Sequence, residues 1–268
     1  MKNIILFISW QPYCSRSDHI ARELGGTSYR IYYDIFGSRY STVFFKYLFQ
    51  SLKTLWILLK KRPATVFVMS PPVFANMPVF IYSKLFRVKY IIDAHTGALN
   101  NPLWQQATSL QKFFFKQAEL VVVTNKDLKQ KTEEWGGRSI IIPDVPVLVP
   151  DYEHMKLKNP KNIVLINSFA QDEPLNNFLQ AARKCPDVFF YVTGKMSKNG
   201  KFSSQKIENV EFTDFLPDKR FYGLIKAADV VAVLTTKDNT MQRGAYEAIY
   251  SETPVITSNW DVLRRNFP

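Results

Sequence analysis

The sequence predicts an α/β protein with two parallel-sheet domains, and three observations carry this prediction. Short apolar runs alternate with helical segments along nearly the whole chain, a pattern typical of βα units whose parallel sheet is covered on both faces. A stretch without clear periodicity, residues 144–161, separates two such series and contains Pro146, Pro150 and Pro160. The 268 residues, 46% of them hydrophobic, suffice for two modest cores.

The first series of βα units defines an N-terminal domain, residues 1–148. Its strands are predicted at Asn3–Ser9, Ser28–Tyr33, Ala64–Ser70, Lys89–Asp93, Leu120–Thr124 and Ser139–Pro143. Its helices are predicted at Asp18–Leu24, Thr42–Leu59, Met77–Phe86, Leu103–Gln117 and Lys126–Trp135.

The second series defines a C-terminal domain, residues 149–268. Its strands are predicted at Asn162–Ile166, Val188–Thr193, Val210–Thr213, Val230–Leu234 and Pro254–Thr257. Its helices are predicted at Leu175–Lys184, Asp218–Ala227 and Arg243–Tyr250, with a further one starting near Trp260.

The cysteines and the N-terminus indicate a cytoplasmic protein. Cys14 and Cys185 lie far apart without CxxC spacing, which argues against a disulfide framework or a zinc site and fits a reducing compartment with two ordinary buried thiols. The short apolar run near the N-terminus precedes Trp10 and Pro12 and lacks a small-residue cleavage site, so it is interpreted as the first strand. No uninterrupted apolar stretch is long enough to span a bilayer.

The positive charge is concentrated in the first half of the chain. Residues 1–150 carry 19 basic and 9 acidic side chains, whereas residues 151–268 carry 16 and 14. No acidic residue lies between Asp34 and Asp93. The basic residues of that span are Arg39, Lys46, Lys53, Lys60, Lys61, Arg62, Lys84, Arg87 and Lys89. Such a one-sided field attracts an anionic membrane, a diphosphate-linked substrate or nucleic acid; because no nucleic-acid-binding motif is present, we predict no nucleic-acid partner.

Residues 42–62 are predicted to dock on an anionic membrane surface. Lys46, Lys53 and Lys60 recur every seven residues and share one helix face, while the remaining arc is broad and apolar. Packing of that arc on the sheet would explain part of it. Aromatic side chains with basic neighbours also suit a lipid surface.

The turn after the first strand contains Ser15, Arg16 and Ser17. Hydroxyl donors, a guanidinium and a helix N-terminus in one turn suit a phosphate or a sugar hydroxyl. An ordinary helix cap at Ser17 explains part of the pattern without a ligand. A GxGxxG dinucleotide fingerprint is absent.

Asp93 and His95 end the fourth predicted strand, followed by Gly97. Because alternate side chains of a strand share a face, the Asp-x-His pair can face one site, where the imidazole acts as an acid or base or binds a hydroxyl. A buried structural histidine is the alternative.

Residues 228–259 form the most informative segment. A buried strand ends at Thr235 and Thr236, and the next helix carries Arg243 and Glu247. Ligands of doubly wound sheets bind outside the carboxyl ends of such strands. Glu247 is placed to accept hydrogen bonds from ribose hydroxyls, and Arg243 with the helix N-terminus to hold phosphate; an exposed helix residue is the alternative for Glu247.

This segment resembles the donor-binding region of GT-B-fold glycosyltransferases, especially family 4-like bacterial enzymes that build surface polysaccharides. Many of these carry two glutamates eight positions apart; Glu247 matches the second, whereas Asn239, beside Asp238, occupies the first. Four further segments resemble, in order, the chitobiosyl-diphosphodolichol mannosyltransferase family. They are the paired-proline loop in Met69–Pro78, Asp93-Ala94-His95, Asn167–Glu173 and Thr193-Gly194-Lys195.

The resemblance implies two Rossmann-like domains facing a cleft, with the second truncated soon after the helix near Trp260. The C-terminal domain would bind a nucleotide-sugar donor through Gly194, Lys195, Thr235, Thr236, Arg243 and Glu247. The N-terminal domain would face the acceptor, with Asp93 and His95 catalytic and Ser15 and Arg16 at a phosphate. No Asp-x-Asp motif is present, so neither a metal nor a cofactor is expected.

The implied function is transfer of a sugar to a lipid-linked or polysaccharide acceptor by an enzyme peripheral to the inner face of the plasma membrane. A non-catalytic membrane-docking partner subunit is the alternative, favoured by Asn239 and the early stop. A sugar-nucleotide epimerase is a further enzymatic alternative. The donor base, the sugar, the acceptor and the stereochemistry stay open.

Overall fold

A computed structural model describes residues 4–36, 40–143, 151–195 and 207–268. Contacts between Cα atoms divide the chain into two units, residues 1–145 (unit 1) and residues 146–268 (unit 2). Residues 151–161, the described part of the predicted linker, contain no helix or strand; residues 144–150 lie outside the described residues. No helix in the described part of the chain is long and apolar enough to cross a membrane.

Unit 1 contains a six-stranded parallel sheet in the order β2-β1-β3-β4-β5-β6. Its strands are β1 (Ile5–Ser9), β2 (Thr27–Arg30), β3 (Thr65–Ser70), β4 (Lys89–Ala94), β5 (Leu120–Val123) and β6 (Ser139–Ile141). The chain moves outward from β1 first to β2 and then, on the other side, to β3, so the order reverses between β1 and β3.

The helices of unit 1 follow the predicted segments with two exceptions: the short helix over Thr96–Asn100 was not predicted, and the one predicted over Leu103–Gln117 is divided. The helices are α1 (Ser15–Glu23), α2 (Tyr40–Lys61), α3 (Asn76–Phe86), α4 (Thr96–Asn100), α5 (Pro102–Gln105), α6 (Thr108–Gln117) and α7 (Lys126–Glu134). The single helix predicted over Leu103–Gln117 is wrong, because the chain breaks between α5 and α6. There the Thr108 hydroxyl donates to the Gln105 carbonyl at 2.6 Å, a local bond that competes with helix continuation.

Unit 2 contains a five-stranded parallel sheet in the order β11-β10-β7-β8-β9. Its strands are β7 (Asn162–Leu165), β8 (Phe189–Thr193), β9 (Val210–Asp214), β10 (Val230–Val233) and β11 (Val255–Thr257). Its helices are α8 (Leu175–Lys184), α9 (Asp218–Ala227), α10 (Arg243–Tyr250) and α11 (Asp261–Asn266). The order reverses between β7 and β10.

Each sheet is apolar on both faces, which explains the continuous apolar runs of its strands. In unit 1, Leu6 and Ile8 contribute to one cluster of buried side chains, whereas Phe7 and Phe67 stack at 4.2 Å between ring centroids in another. Alternate side chains of a strand point to opposite faces, so both faces of a doubly covered sheet must be apolar. Parallel strands also bring their carboxyl ends to one edge, where the polar loops of each unit meet.

Candidate functional site

A buried ion pair connects α1 with the end of β4 at the carboxyl edge of unit 1. Asp93 in β4 is 1% exposed and Arg16 in α1 is 4% exposed. The Arg16 Nε donates to Asp93 Oδ1 at 3.1 Å. Burial alone would raise the pKa of Asp93, but the charges of Arg16 and His95 and their hydrogen bonds outweigh it and lower the pKa to about 2. Asp93 is therefore a carboxylate at neutral pH.

Both terminal nitrogens of Arg16 contact backbone carbonyls. One terminal nitrogen donates to Pro143 O at 3.1 Å and the other to Ile142 O at 2.8 Å. Arg16 thus joins α1, β4 and the segment after β6. Because the guanidinium faces the protein interior in this structure, its contact with a phosphate stays a prediction. Ser15 is the first residue of α1.

His95 directly follows β4 and contacts the same carboxylate. Its Nε2 lies 3.3 Å from Asp93 Oδ2, and one third of its side chain is exposed. Burial alone would lower the pKa of His95, but the charge and hydrogen bond of Asp93 raise it to about 10. The imidazole is therefore protonated at neutral pH, so it can donate a hydrogen bond or a proton to an oxygen atom.

Cys14 adds a fourth ionisable group, which the sequence analysis treated as an ordinary buried thiol. Its Sγ lies 3.1 Å from Ser17 Oγ and 3.3 Å from Met69 Sδ, so it links the loop after β1 to α1 and to the end of β3. Burial raises the pKa of Cys14, but a hydrogen bond and the charge of His95, together with Ser17, lower it overall. The one signal in the sequence that could have indicated a role for Cys14 was its position after a buried strand, β1, next to which the strand order reverses.

In unit 2, the loop after β7 folds around a carboxylate. Glu173 accepts hydrogen bonds from Ser168 N at 2.8 Å, Ser168 Oγ at 2.9 Å and Ala170 N at 3.0 Å. Gly194, just after β8, has φ +102°, and a Cβ placed there would lie 2.0 Å from Asn167 O. Only glycine therefore lets the β8 end approach this loop so closely.

Asp172 connects the loops after β7 and β10 at the point where the strand order reverses. Its side chain accepts from Thr235 Oγ1 at 3.1 Å and from Lys237 Nζ at 3.3 Å. Its backbone carbonyl accepts from Thr236 N at 2.7 Å. The loop after β11 joins as well, since Thr235 N donates to Ser258 Oγ at 2.9 Å. Asp172 belongs to the Asn167–Glu173 segment of the resemblance but was assigned no role, because only the reversal between β7 and β10 brings it to Thr235.

Arg243 and Glu247 face each other on the first turns of α10. The Arg243 Nε donates to Glu247 Oε1 at 2.9 Å, with 25% and 13% of the two side chains exposed. The next residue, Gly244, packs against Ile166 and Val233, where an added Cβ would come within 3.1 Å. The α10 N-terminus is thus seated on the ends of β7 and β10, with a partly buried charge pair at the carboxyl edge of the sheet.

The structure thus forms two polar groups among the predicted site residues. In unit 1, Arg16 and His95 both contact Asp93. In unit 2, Thr235 and Thr236 both contact Asp172, which was not among the predicted site residues, and Arg243 pairs with Glu247 on α10. Lys195 is exposed and directly follows Gly194 at the end of β8. Among the residues described, no group of three or more His, Cys, Asp or Glu side chains could hold a metal ion.

Comparison with known proteins yields structural relatives only. No family model matches the chain, and no curated protein matches it significantly. The structure of HepE from Anabaena in complex with UDP and glucose matches with a TM-score of 0.70 at 15% identity, covering 99% of this chain and 83% of HepE.

Two further solved structures show the same architecture. The glycosyltransferase SnogD from Streptomyces nogalater matches with a TM-score of 0.57 at 13% identity, over 98% of this chain and 85% of SnogD. A putative UDP-N-acetylglucosamine 2-epimerase from Listeria monocytogenes matches with a TM-score of 0.62 at 11% identity, over 99% and 82%. At these identities the likeness shows the fold, which is the two-sheet α/β fold of the GT-B type.

Proposed function

We propose that the protein is a glycosyltransferase that moves a sugar from a nucleotide diphosphate sugar to an acceptor hydroxyl. One observation carries the proposal: in unit 2 the loops after β7, β8, β10 and β11 converge with the α10 N-terminus where the strand order reverses, the place at which doubly wound sheets bind nucleotides. HepE, which shares the fold, has been solved in complex with UDP-glucose.

In this proposal the donor is held by α10 and the neighbouring strand ends. Glu247 accepts hydrogen bonds from the ribose hydroxyls, since its carboxylate lies partly exposed on the first turns of α10. Arg243, Lys195 and the α10 N-terminus neutralise the diphosphate. Gly194 brings backbone N–H groups close to it, and Thr235 and Thr236 hold the β10 end to the loop after β7.

Unit 1 supplies the acceptor side. His95, protonated beside Asp93, donates a hydrogen bond to a sugar or phosphate oxygen, while Arg16 acts by positioning Asp93. We propose that basic side chains and N–H groups stabilise the leaving diphosphate without a metal ion.

Family and acceptor are the finer parts of the proposal. The position of Glu247, together with Pro254–Thr257 following the helix, supports a family 4-like enzyme of bacterial surface-polysaccharide synthesis. The acid-free basic span between Asp34 and Asp93 supports a lipid-linked or growing polysaccharide acceptor at the cytoplasmic membrane face, because such acceptors carry phosphate and lie at an anionic surface.

Ligand-induced thermal stabilisation tests the donor site directly. The purified chain is heated with UDP-, GDP-, ADP- and CMP-sugars, and one base is expected to raise the unfolding temperature. Glu247→Ala should abolish the shift, whereas Glu208→Ala, which removes an exposed carboxylate of the same unit, should retain it. A wild-type protein that is folded and shows no shift with any sugar nucleotide would contradict the proposal.

Two other candidates are distinguished by turnover. The position equivalent to the first family glutamate holds Asn239, which favours a non-catalytic partner subunit; donor binding without transfer to any acceptor would identify it. The likeness to the Listeria epimerase favours epimerisation, which would convert the donor sugar without any acceptor.

A further inference from the structure

The outward side of α2 and α3 is apolar. The exposed large side chains there include Phe44 at 68%, Trp56 at 52% and Leu85 at 72%. The two helices pack against each other in unit 1. We define the α2–α3 face by its exposed apolar members, which are Phe44, Phe45, Leu48, Phe49, Leu52, Trp56, Leu59, Met77, Ile81, Leu85 and Phe86.

The side of α2 that faces the protein combines apolar residues with buried polar ones. Gln50 and Thr54 are completely buried. The Gln50 Nε2 donates to Ile31 O at 2.7 Å, and the Trp10 Nε1 donates to Thr54 Oγ1 at 3.0 Å. A surface helix normally turns its apolar side to the core. Because α2 also turns a broad apolar side outward, that outward side is suited to contact an apolar partner other than the protein core.

Cations accompany the apolar side chains. Lys53 Nζ lies 4.2 Å and Lys60 Nζ 4.9 Å from the centroid of the exposed Trp56 ring, so both ammonium groups stay beside the apolar face. Lys46, which the sequence analysis placed on the same face, is instead buried against Tyr32 at 4.0 Å. The chain from residue 35 to residue 92 contains no acidic side chain that could repel an anion.

The C-terminal ends of α2 and α3 frame a groove of about 600 Å³. It is lined by Leu59, Arg62, Pro63, Tyr82, Phe86 and Val88. The groove is apolar apart from the Arg62 side chain and the Tyr82 hydroxyl. The adjoining groove is lined by Lys84, Arg87 and Lys89 together with one acidic residue, Glu119. The apolar walls suit an acyl chain of a lipid, and the neighbouring guanidinium and ammonium groups suit its phosphate.

We propose that the α2–α3 face docks on an anionic lipid bilayer, with its aromatic and aliphatic side chains among the acyl chains and Lys53, Lys60 and Arg62 at lipid phosphates. Charge selects this occupant, because a second copy of the face would oppose cations with cations. The biological role of this docking rests on the proposed transferase function. The docking itself does not, since binding to a membrane needs no sugar transfer.

Vesicle co-sedimentation with the full chain tests the proposal. Vesicles of phosphatidylcholine alone are compared with vesicles containing phosphatidylglycerol, at low and high salt and without any sugar nucleotide. We expect at least tenfold stronger binding to the anionic vesicles, weakened by salt. Leu52→Ser/Trp56→Ser and Lys53→Glu/Lys60→Glu should each reduce that binding at least tenfold while the thermal unfolding curve is preserved, since all four side chains are exposed.

Matched controls come from unit 2. Phe215→Ser replaces an aromatic residue that is 72% exposed, and Arg183→Glu/Lys184→Glu reverses two exposed charges on α8; both should bind like wild type. The proposal is overturned if the folded wild-type protein does not bind the vesicles or binds both kinds equally. A dimer that Leu52→Ser/Trp56→Ser dissociates, without vesicle binding, would assign the face to a second copy. The vesicle assay involves no sugar transfer, so its results would be interpreted in the same way if the transferase proposal failed.

Discussion

At the scale of single residues, the charges around Asp93 form a linked set. Arg16 and His95 stabilise one carboxylate, and His95 in turn stabilises the thiolate form of Cys14. Opposite charges in a buried group favour each other's ionised forms. Removing any one member should therefore change the ionisation of the others.

Asp93→Asn is expected to lower the free energy of unfolding of unit 1 by about 3–5 kcal/mol, because the buried Arg16 guanidinium would lose its counter-charge. The folded pKa of Asp93 is about 2, below the ordinary 3.8. Its contribution is thus complete above pH 3.8 and is lost as the pH falls through about 2. Denaturant unfolding of wild type and variant between pH 2 and pH 7 measures this loss.

Two variants control for this effect. Glu23→Gln neutralises an exposed carboxylate on α1 and should leave stability nearly unchanged. Arg16→Gln/Asp93→Asn should cost less than the two single changes combined, because the residues are coupled. Equal stability of Asp93→Asn and wild type at pH 7 would show that the ion pair contributes nothing.

Cys14 alkylation by iodoacetamide should reach half its maximal rate below pH 9.0, the ordinary pKa of the thiol, because the positive charge of His95 favours the thiolate. Cys185→Ser provides a background with one reactive thiol. In His95→Gln the midpoint should rise, because the positive charge and the hydrogen bond of His95 are lost while burial still raises the pKa of the thiol. Replacing the exposed His154 by Gln should not shift it, and an equal midpoint in His95→Gln would refute the coupling.

At the scale of elements, the end of β8 depends on a close backbone approach. Gly194 needs both its positive φ and the space that a Cβ would take from Asn167 O. Gly25 also has positive φ, +64°, but nothing lies within 4 Å of its virtual Cβ. Substituting the two glycines therefore distinguishes the effect of backbone strain, present at both, from that of a steric clash, present only at Gly194.

Gly194→Ala should destabilise the protein by more than Gly25→Ala, for which strain alone predicts about 1–3 kcal/mol. The loop after β7 must move to accommodate the new methyl group, so stabilisation by the sugar nucleotide should also disappear in Gly194→Ala and persist in Gly25→Ala. Thermal unfolding with and without the ligand measures both effects. Unchanged ligand stabilisation in Gly194→Ala would exclude Gly194 from the donor site.

At the scale of the whole molecule, each cluster of buried side chains among the described residues lies within one unit. The clusters of unit 1 contain residues up to Ile142, and those of unit 2 begin at Met155. Separate cores with separate sheets support separate cooperative transitions.

Calorimetry should therefore resolve two unfolding transitions. Leu58→Ala in unit 1 and Leu224→Ala in unit 2 each truncate a fully buried side chain. Each should reduce the free energy of unfolding of its own unit by about 2–5 kcal/mol and so lower the temperature of one of the two transitions. The sugar nucleotide should raise only the transition that Leu224→Ala lowers. A single transition affected by both substitutions would contradict two independent units.

Local periodicity was sufficient for the element boundaries of much of the fold. Leu175–Lys184 and Asp218–Ala227 were predicted with the observed bounds, and most strands agree within two residues. The parallel α/β fold with two sheets is confirmed. Strand and helix patterns repeat over two to four residues, so the sequence by itself determined them, together with the positions of the polar loops at strand ends.

Contacts between distant parts of the chain were decided by the tertiary structure alone. Arg16 meets Asp93, Ile142 and Pro143 only because β1, β4 and the segment after β6 end at one edge of the sheet. Periodicity shows that α2 has two unlike sides but not which side is buried, and here the polar residues Gln50 and Thr54 lie inside. The strand order that creates these contacts depends on long-range packing, which no local pattern encodes.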